Sequence, residues 1–402
     1  MQHRNGDGNG GPDGDDARLR YLASRRDIAW SPGTDGSHVW FYRPGELVVA
    51  ADALDEVRKT LRSMKVRVRG PVEVAPGGAT VLLVATRAGV PELVDELERR
   101  LGNRSGVVGP NHVLLAAPQV SWGPGTEPEP VEELSWAAEG DAGRCVRVAV
   151  VDTGLLKTHA AHPFLQSGIL ADVDDIEDPD IDGNGFVDVV AGHGTFVAGV
   201  VRRVAPGATV IVEKALNDGG YTDEVDLGRQ LVQALRGFPD IVNLSVGGHT
   251  RNGAAPIALQ ALWEQVERRR PEIVVVAAAG NQGSDKPFWP AASKHALGVG
   301  AVDDNGDQAD FSNFGVNADL WAPGVDVDNA YCDGTYRPLD GSGDRSFKGF
   351  ARWSGTSFAA PYVAGAIAAR MTADGVSAGE ARDRVVSDAA ASPGSAGPTV
   401  RV

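Results

Sequence analysis

The chain has 402 residues, 42% of them apolar and 23% charged, which is room for two domains and an ordinary composition for a water-soluble protein. A net charge of −16 argues against nucleic acid or an anionic membrane as partner. Two cysteines, Cys145 and Cys332, exclude a disulfide framework and leave one bridge or, as we expect, two free thiols.

Residues 1–16 are mostly Gly, Asp and Asn and read as a disordered tail. They hold no apolar core, so no signal peptide is expected, and no window of 18 apolar residues exists for a transmembrane helix. The expected localisation is therefore cytoplasmic, or secreted if translation starts elsewhere. Residues 17–45 show no clear period. A strand at 46–50 then leads into an amphipathic helix at 53–64, with Leu54, Val57, Leu61 and Met64 on one stripe. Strands at 66–74 and 80–85 flank the turn Pro76-Gly77-Gly78. A second helix at 91–101 precedes a strand at 107–116, broken at Pro110. The order β-α-β-β-α-β predicts a small ferredoxin-like α+β domain over 17–116.

Residues 117–140 read as an exposed, extended linker, marked by Gly123-Pro124-Gly125 and Glu127-Pro128-Glu129-Pro130. From 141 to 402 apolar strands alternate with helices. Strands are expected at 146–151, 209–215, 241–245 and 273–279, and helices from 194, near 225–235 and near 257–268. This pattern predicts an α/β domain, a parallel sheet with helices on both faces.

Three strings in this region place one reactive side chain each among small residues: Val-Val-Asp152-Thr-Gly, Gly-His193-Gly-Thr and Gly-Thr-Ser357-Phe-Ala-Ala-Pro. A serine hydroxyl is a weak nucleophile and needs a base; an imidazole supplies one, and a buried carboxylate fixes the imidazole tautomer. Asp152 ends an apolar strand, where functional residues of α/β sheets sit, while His193 and Ser357 open helices. A fourth string, Ala278-Ala279-Gly280-Asn281, supplies an amide able to meet a developing oxyanion. Each string alone would read as a cap or a loop. Together they predict acyl transfer, with Ser357 the nucleophile, His193 the base, Asp152 its orienter and Asn281 the oxyanion donor. His159 and His162 lie three apart with no third ligand nearby, which disfavours a zinc site.

These motifs, in the order Asp, His, Ser, resemble the subtilisin-like serine proteases over roughly residues 144–390. Phe311-Ser312-Asn313-Phe314-Gly315 and Ala322-Pro323-Gly324 are similar to further strings of that family, while Phe358 stands where it usually has methionine. The resemblance implies a serine endopeptidase with a subtilisin-like fold and an acyl-enzyme mechanism that needs no cofactor. It implies a substrate strand beside Ser245, Val246 and Gly247, with an opposite edge at Gly219 and Gly220. It also implies a specificity pocket walled by Ser245-Val246-Gly247 and Ala278-Ala279-Gly280. Resemblance places Phe288 near that pocket's floor, or else the ring points into the core. The N-terminal domain resembles the family's prodomain, an intramolecular chaperone and inhibitor, or is an unrelated α+β module. Peptides or proteins are the expected substrates.

Asp180, Asp182, Asn184 and Asp188 place oxygen atoms at alternate positions around Gly183 and Gly185. The start is that of a calcium loop, but Ala191 stands where an EF-hand needs glutamate. A calcium-stabilised loop and a solvated acidic turn are both open. Two rivals to the peptidase reading are a silent binding module plugged by its own N-terminal domain and an esterase with the same triad.

Overall fold

The structure is a computed structural model, and it describes residues 17–36, 38–87, 89–116, 126–132, 134 and 140–401. The tail 1–16 and linker residues 117–125, 133 and 135–139 lie outside the described residues. The N-terminal part contains α1 (Ala17–Ser24), β1 (Ala29–Pro32), β2 (Val39–Val49), α2 (Leu54–Ser63), β3 (Arg67–Val74), β4 (Thr80–Ala85), α3 (Val90–Arg100) and β5 (Val108–Ala116). Four of its strands lie in the order β5-β2-β4-β3, all antiparallel. This is the order of a β-α-β-β-α-β ferredoxin-like chain: α2 crosses over the place that β4 then fills, and α3 crosses over β2.

The sheet is coated on both faces. Val57, Leu61, Leu93, Val94 and Leu97 of α2 and α3 pack on Leu47, Val49, Leu82 and Val84. On the other face Val48, Ala75, Ala79 and Val81 meet Val225, Ile257 and Ala258 of the C-terminal part. Two expectations change here. β2 starts seven residues before 46, because it bends through an irregular register between Tyr42 and Leu47. β5 runs through Pro110 unbroken, since residues 108–112 have β2 as their one strand neighbour and a proline is tolerated at such an edge.

The rest begins with β6 (Glu129–Pro130), β7 (Arg147–Asp152), β8 (Leu155–Leu156), β9 (Ile169–Leu170), β10 (Ile176–Glu177), α4 (His193–Val204), β11 (Thr209–Lys214) and β12 (Tyr221–Asp223). It continues with α5 (Glu224–Arg236), β13 (Ile241–Leu244), β14 (Val246–Gly247), α6 (Ile257–Arg269), β15 (Val274–Ala278), β16 (Leu297–Val302) and β17 (Leu320–Pro323). It ends with β18 (Val327–Tyr336), β19 (Arg345–Trp353), α7 (Thr356–Asp374) and α8 (Ala378–Ala391). A seven-stranded parallel sheet runs β17-β16-β15-β13-β7-β11-β9. Its central strands are mostly apolar because both faces are covered: α4, α7 and α8 on one, α5 and α6 on the other.

Small residues set how closely the helices approach. A Cβ on Gly365 of α7 would lie 2.7 Å from Cβ of Val204 at the end of α4, and one on Gly199 of α4 would collide with the Asn329 amide. Within the linker, Glu129–Pro130 is exposed and extended and adds to the β18–β19 hairpin as a third strand, opposite Ala351 and Arg352.

Candidate active site

The parallel sheet brings the four reactive side chains to the carboxyl ends of its strands. Asp152 is the last residue of β7, His193 the first of α4, Ser357 lies in the first turn of α7, and Asn281 follows β15. All four are buried. His193 Nδ1 lies 2.7 Å from Asp152 Oδ1, which also accepts the Thr153 N–H at 2.7 Å. That carboxylate therefore fixes the ring with Nδ1 protonated and Nε2 as the basic nitrogen. His193 Nε2 and Ser357 Oγ are both buried and neither makes a hydrogen bond. The base and the hydroxyl are thus at one site and unjoined, a looseness common where no substrate closes the geometry. Phe358, the neighbour of Ser357, packs its ring 5.5 Å from that of His193.

The Ser357 helix contains Pro361, which has no N–H to give the carbonyl four residues back. That carbonyl belongs to Ser357, and the hydroxyl of Ser245 donates to it at 2.8 Å, itself accepting from Asn243 Nδ2 at 3.0 Å. Asn281 is oriented by its oxygen: Oδ1 accepts the Thr356 N–H at 3.0 Å and the Thr356 hydroxyl at 2.8 Å. Its Nδ2 then falls beside Gly355, where a Cβ would sit 3.4 Å away, at the N-terminus of α7 whose first N–H groups have no helical partner. Asn313 braces the same loop by accepting from Gln282 N and Ser284 N and donating to the Ala279 carbonyl. Gly280 has φ +99° and donates its N–H to Thr356 Oγ1 at 3.1 Å.

The cleft beside Val246 and Gly247 is filled by the chain's own β5. Ala116 pairs with Val246 and Leu115 with Gly247, antiparallel. On the other edge Leu115, Leu114 and Val113 pair with Tyr221, Thr222 and Asp223, and the Ala116 N–H donates to the Gly220 carbonyl at 2.9 Å. The opposing strand is thus Tyr221–Asp223, with Gly220 contributing one carbonyl, while Gly219 lies in the turn before it, its N–H donating to Asn217 Oδ1 at 3.0 Å. Leu114 is fully buried among Leu231, Val246 and Leu259. Ion pairs of Arg43 with Asp223 at 2.9 Å and Arg251 with Glu98 at 2.8 Å flank the strand, as does a hydrogen bond between His112 Nδ1 and Glu224 at 2.9 Å.

Phe288 lies in the slot between the two expected pocket walls. A Cβ on Gly247 would collide with its ring, and one on Gly280 would sit 2.9 Å from Cδ1. The ring is buried, and that of His249 stands edge-on to it at 5.5 Å.

The acidic loop brings Asp180, Asp182, Asn184 and Asp188 into one turn, but it turns their oxygens onto N–H groups. Asp180 accepts from Asn184 N and Gly185 N, Asp182 from Asn184 N and Nδ2, and Asp188 from Ile181 N. Burial, and then the charges of Asp182, Asp218 and Asp180, keep the Asp188 carboxyl above its ordinary range despite the Ile181 N–H. Among the described residues no group of three or more His, Cys, Asp or Glu side chains could hold a metal ion. Cys145 and Cys332 are both free thiols.

Two neighbours of the site escaped sequence reasoning. Trp353 stands edge-on to the His193 ring at 5.3 Å and donates its indole N–H to the Thr126 carbonyl. Glu177 lies buried beside the Asp152 turn. Trp353, in a polar stretch with no usable period, gave no signal; Glu177 was hidden among the crowded acidic residues 172–188.

Fold and site together define a serine-type endopeptidase, a hydrolase with a subtilisin-like architecture. The chain belongs to the subtilase family, whose model matches residues 143–399. It is 33% identical over 267 residues to subtilisin DY of Bacillus licheniformis, covering 63% of this chain and 86% of that one. To the thermophilic serine proteinase of Bacillus sp. (strain AK1) it is 31% identical over 254 residues, 60% of this chain and 56% of that one, so it spans little more than half of that relative's length. Among solved structures, a lanthipeptide protease superposes with a TM-score of 0.51 at 23% identity, over 64% of this chain and 85% of that one, a likeness of fold.

Proposed function

We propose that the chain hydrolyses peptide bonds through an acyl-enzyme on Ser357. His193 takes the serine proton at Nε2 and passes it to the leaving amine, while Asp152 holds the ring and stabilises the imidazolium. The oxyanion meets Asn281 Nδ2 and an N–H at the start of α7. The observation that carries this reading is the hydrogen bond from His193 to Asp152 in the same buried site as Ser357 Oγ and Asn281. No cofactor enters the chemistry.

Residues 17–116 act in this reading as a domain that inhibits its own protease. What supports it is β5, which adds as a strand between Tyr221–Asp223 and Val246–Gly247, the mode in which an extended peptide substrate would bind. The hydrogen bonds that Asp180, Asp182 and Asp188 accept from N–H groups support the solvated-turn reading of the acidic loop over a calcium site. A chelator then leaves the melting temperature unchanged; a fall that Asp182→Ala removes would restore the calcium loop.

The ring of Phe288 supports a preference for small or medium apolar side chains before the scissile bond, over Phe, Tyr or Arg. Peptide libraries varied at that position test both the activity and this preference. Cleavage after Ala is expected to exceed cleavage after Phe, and Phe288→Gly to narrow or reverse the difference. Equal cleavage after both, unchanged in Phe288→Gly, would remove Phe288 from the specificity pocket. No cleavage of any member, even by a Leu114→Asp variant in which β5 is loosened from the cleft, would count against the peptidase reading.

A further inference from the structure

The two residues of the Asp152–His193 pair arrive on separate segments, which touch where the Leu156 N–H donates to Thr195 Oγ1 at 2.8 Å. A third segment joins them. β10 pairs in parallel with β8, the strand just past the Asp152-Thr153-Gly154 turn, so that Glu177 lies opposite Leu156. Gly154 lets it come close: a Cβ there would sit 2.6 Å from the Asp175 carbonyl and 3.4 Å from Glu177 Cβ.

From this position Glu177 Oε2 accepts the N–H of Gly192, the residue before His193, at 3.0 Å. The same oxygen accepts the hydroxyl of Thr153, the residue after Asp152, at 3.3 Å. Thr153 Oγ1 accepts in turn from the N–H of Gly194, the residue after His193, at 2.9 Å. One buried carboxyl thus ties the residue beside the acid to both neighbours of the base.

We propose that Glu177 is a positioning residue, holding the α4 start and the Asp152 turn in the alignment that lets Asp152 orient the His193 ring. The proposal rests on the acyl-transfer reading above and adds to it a residue that touches no substrate.

The charge state of Glu177 gives the proposal its own signature. Burial first, and then the Asp152 charge, push its carboxyl up to about 8, against the Gly192 N–H, the Thr153 hydroxyl and the Lys214 charge. Tyr331 and Cys332 approach it from β18, and Asp178 and Asp188 share a small cavity with it. Below that pH the group is a neutral acid, similar in shape and hydrogen bonding to glutamine. Above it, a second negative charge stands beside Asp152 and reaches the imidazolium that forms in the transition state.

The test compares the full-length wild type with Glu177→Gln and Glu177→Leu. It follows kcat, KM and the pH dependence of kcat/KM on a small peptide. Glu177→Leu cannot accept either hydrogen bond, and kcat should fall on the order of a hundredfold, the loss that a misplacement of about 1 Å produces, with KM unchanged. Glu177→Gln should recover most of that loss near pH 7 while lacking the inflection at about pH 8 that the wild type shows. A purely structural glutamate would move melting temperature and the amount of active enzyme without changing the profile. Wild-type kcat in Glu177→Leu would overturn the proposal. If that variant does not fold, an inflection at about pH 8 that persists in Glu177→Gln would do so. Titration of each protein with an active-site serine reagent counts working sites. A full-length protein that neither hydrolyses nor reacts, even when Leu114→Asp loosens β5 from the cleft, would instead defeat the acyl-transfer reading.

Discussion

Ser357→Ala is expected to lower kcat for peptide hydrolysis by at least about a thousandfold, because losing one member of a triad forfeits nearly all of its catalysis. The scale is carried over from subtilisin, a relative. Folding should be untouched. The Ser357 hydroxyl is buried yet makes no hydrogen bond, and Ser245 braces the Ser357 carbonyl rather than its side chain. Alanine therefore leaves no polar partner stranded, and the melting temperature should match the wild type. Kinetics and melting on the same preparation check both halves. Residual activity well above a thousandth of wild type would mean that another group is the nucleophile.

Asn281→Ala carries the second-largest expected effect. Its amide serves an oxygen that becomes negative only as the tetrahedral intermediate forms, so kcat should fall by about a hundred- to a thousandfold with KM little changed. This magnitude too comes from subtilisin. Unlike the serine change, this one also costs stability. Asn281 Oδ1 accepts both the N–H and the hydroxyl of buried Thr356, and a buried donor left unpaired costs about 1–3 kcal/mol. Steady-state kinetics separate the readings: a change confined to KM would place Asn281 in substrate binding.

Much of the site was legible because chemistry and fold leave overlapping marks. Asp152 follows an apolar run because β7 is covered on both faces. Gly280 and the small residues of α4 and α7 mark places where backbone must turn sharply or come close. Phe288 was legible as a position but not as an orientation, since a buried phenylalanine looks the same in sequence whether it fills a pocket or the core. The self-paired acidic loop was ambiguous for a physical reason: alternating carboxylates serve backbone N–H groups as well as they serve a cation. The β18–β19 hairpin was invisible because its residues alternate poorly and its third strand, Glu129–Pro130, is contributed by residues that read as linker. Trp353 could not be placed without that hairpin. Glu177 needed the β8–β10 pairing, which joins residues more than twenty apart through two short strands that carry no period.

The most direct measurement is mass spectrometry of the purified full-length protein after treatment with an active-site serine reagent. The account predicts one adduct per chain, on the peptide containing Ser357, absent in Ser357→Ala. It also predicts faster labelling in Leu114→Asp, where a charge in the Leu231 and Val246 core loosens β5 from the cleft. No adduct in either the wild type or Leu114→Asp, or an adduct on another residue that survives Ser357→Ala, would contradict it.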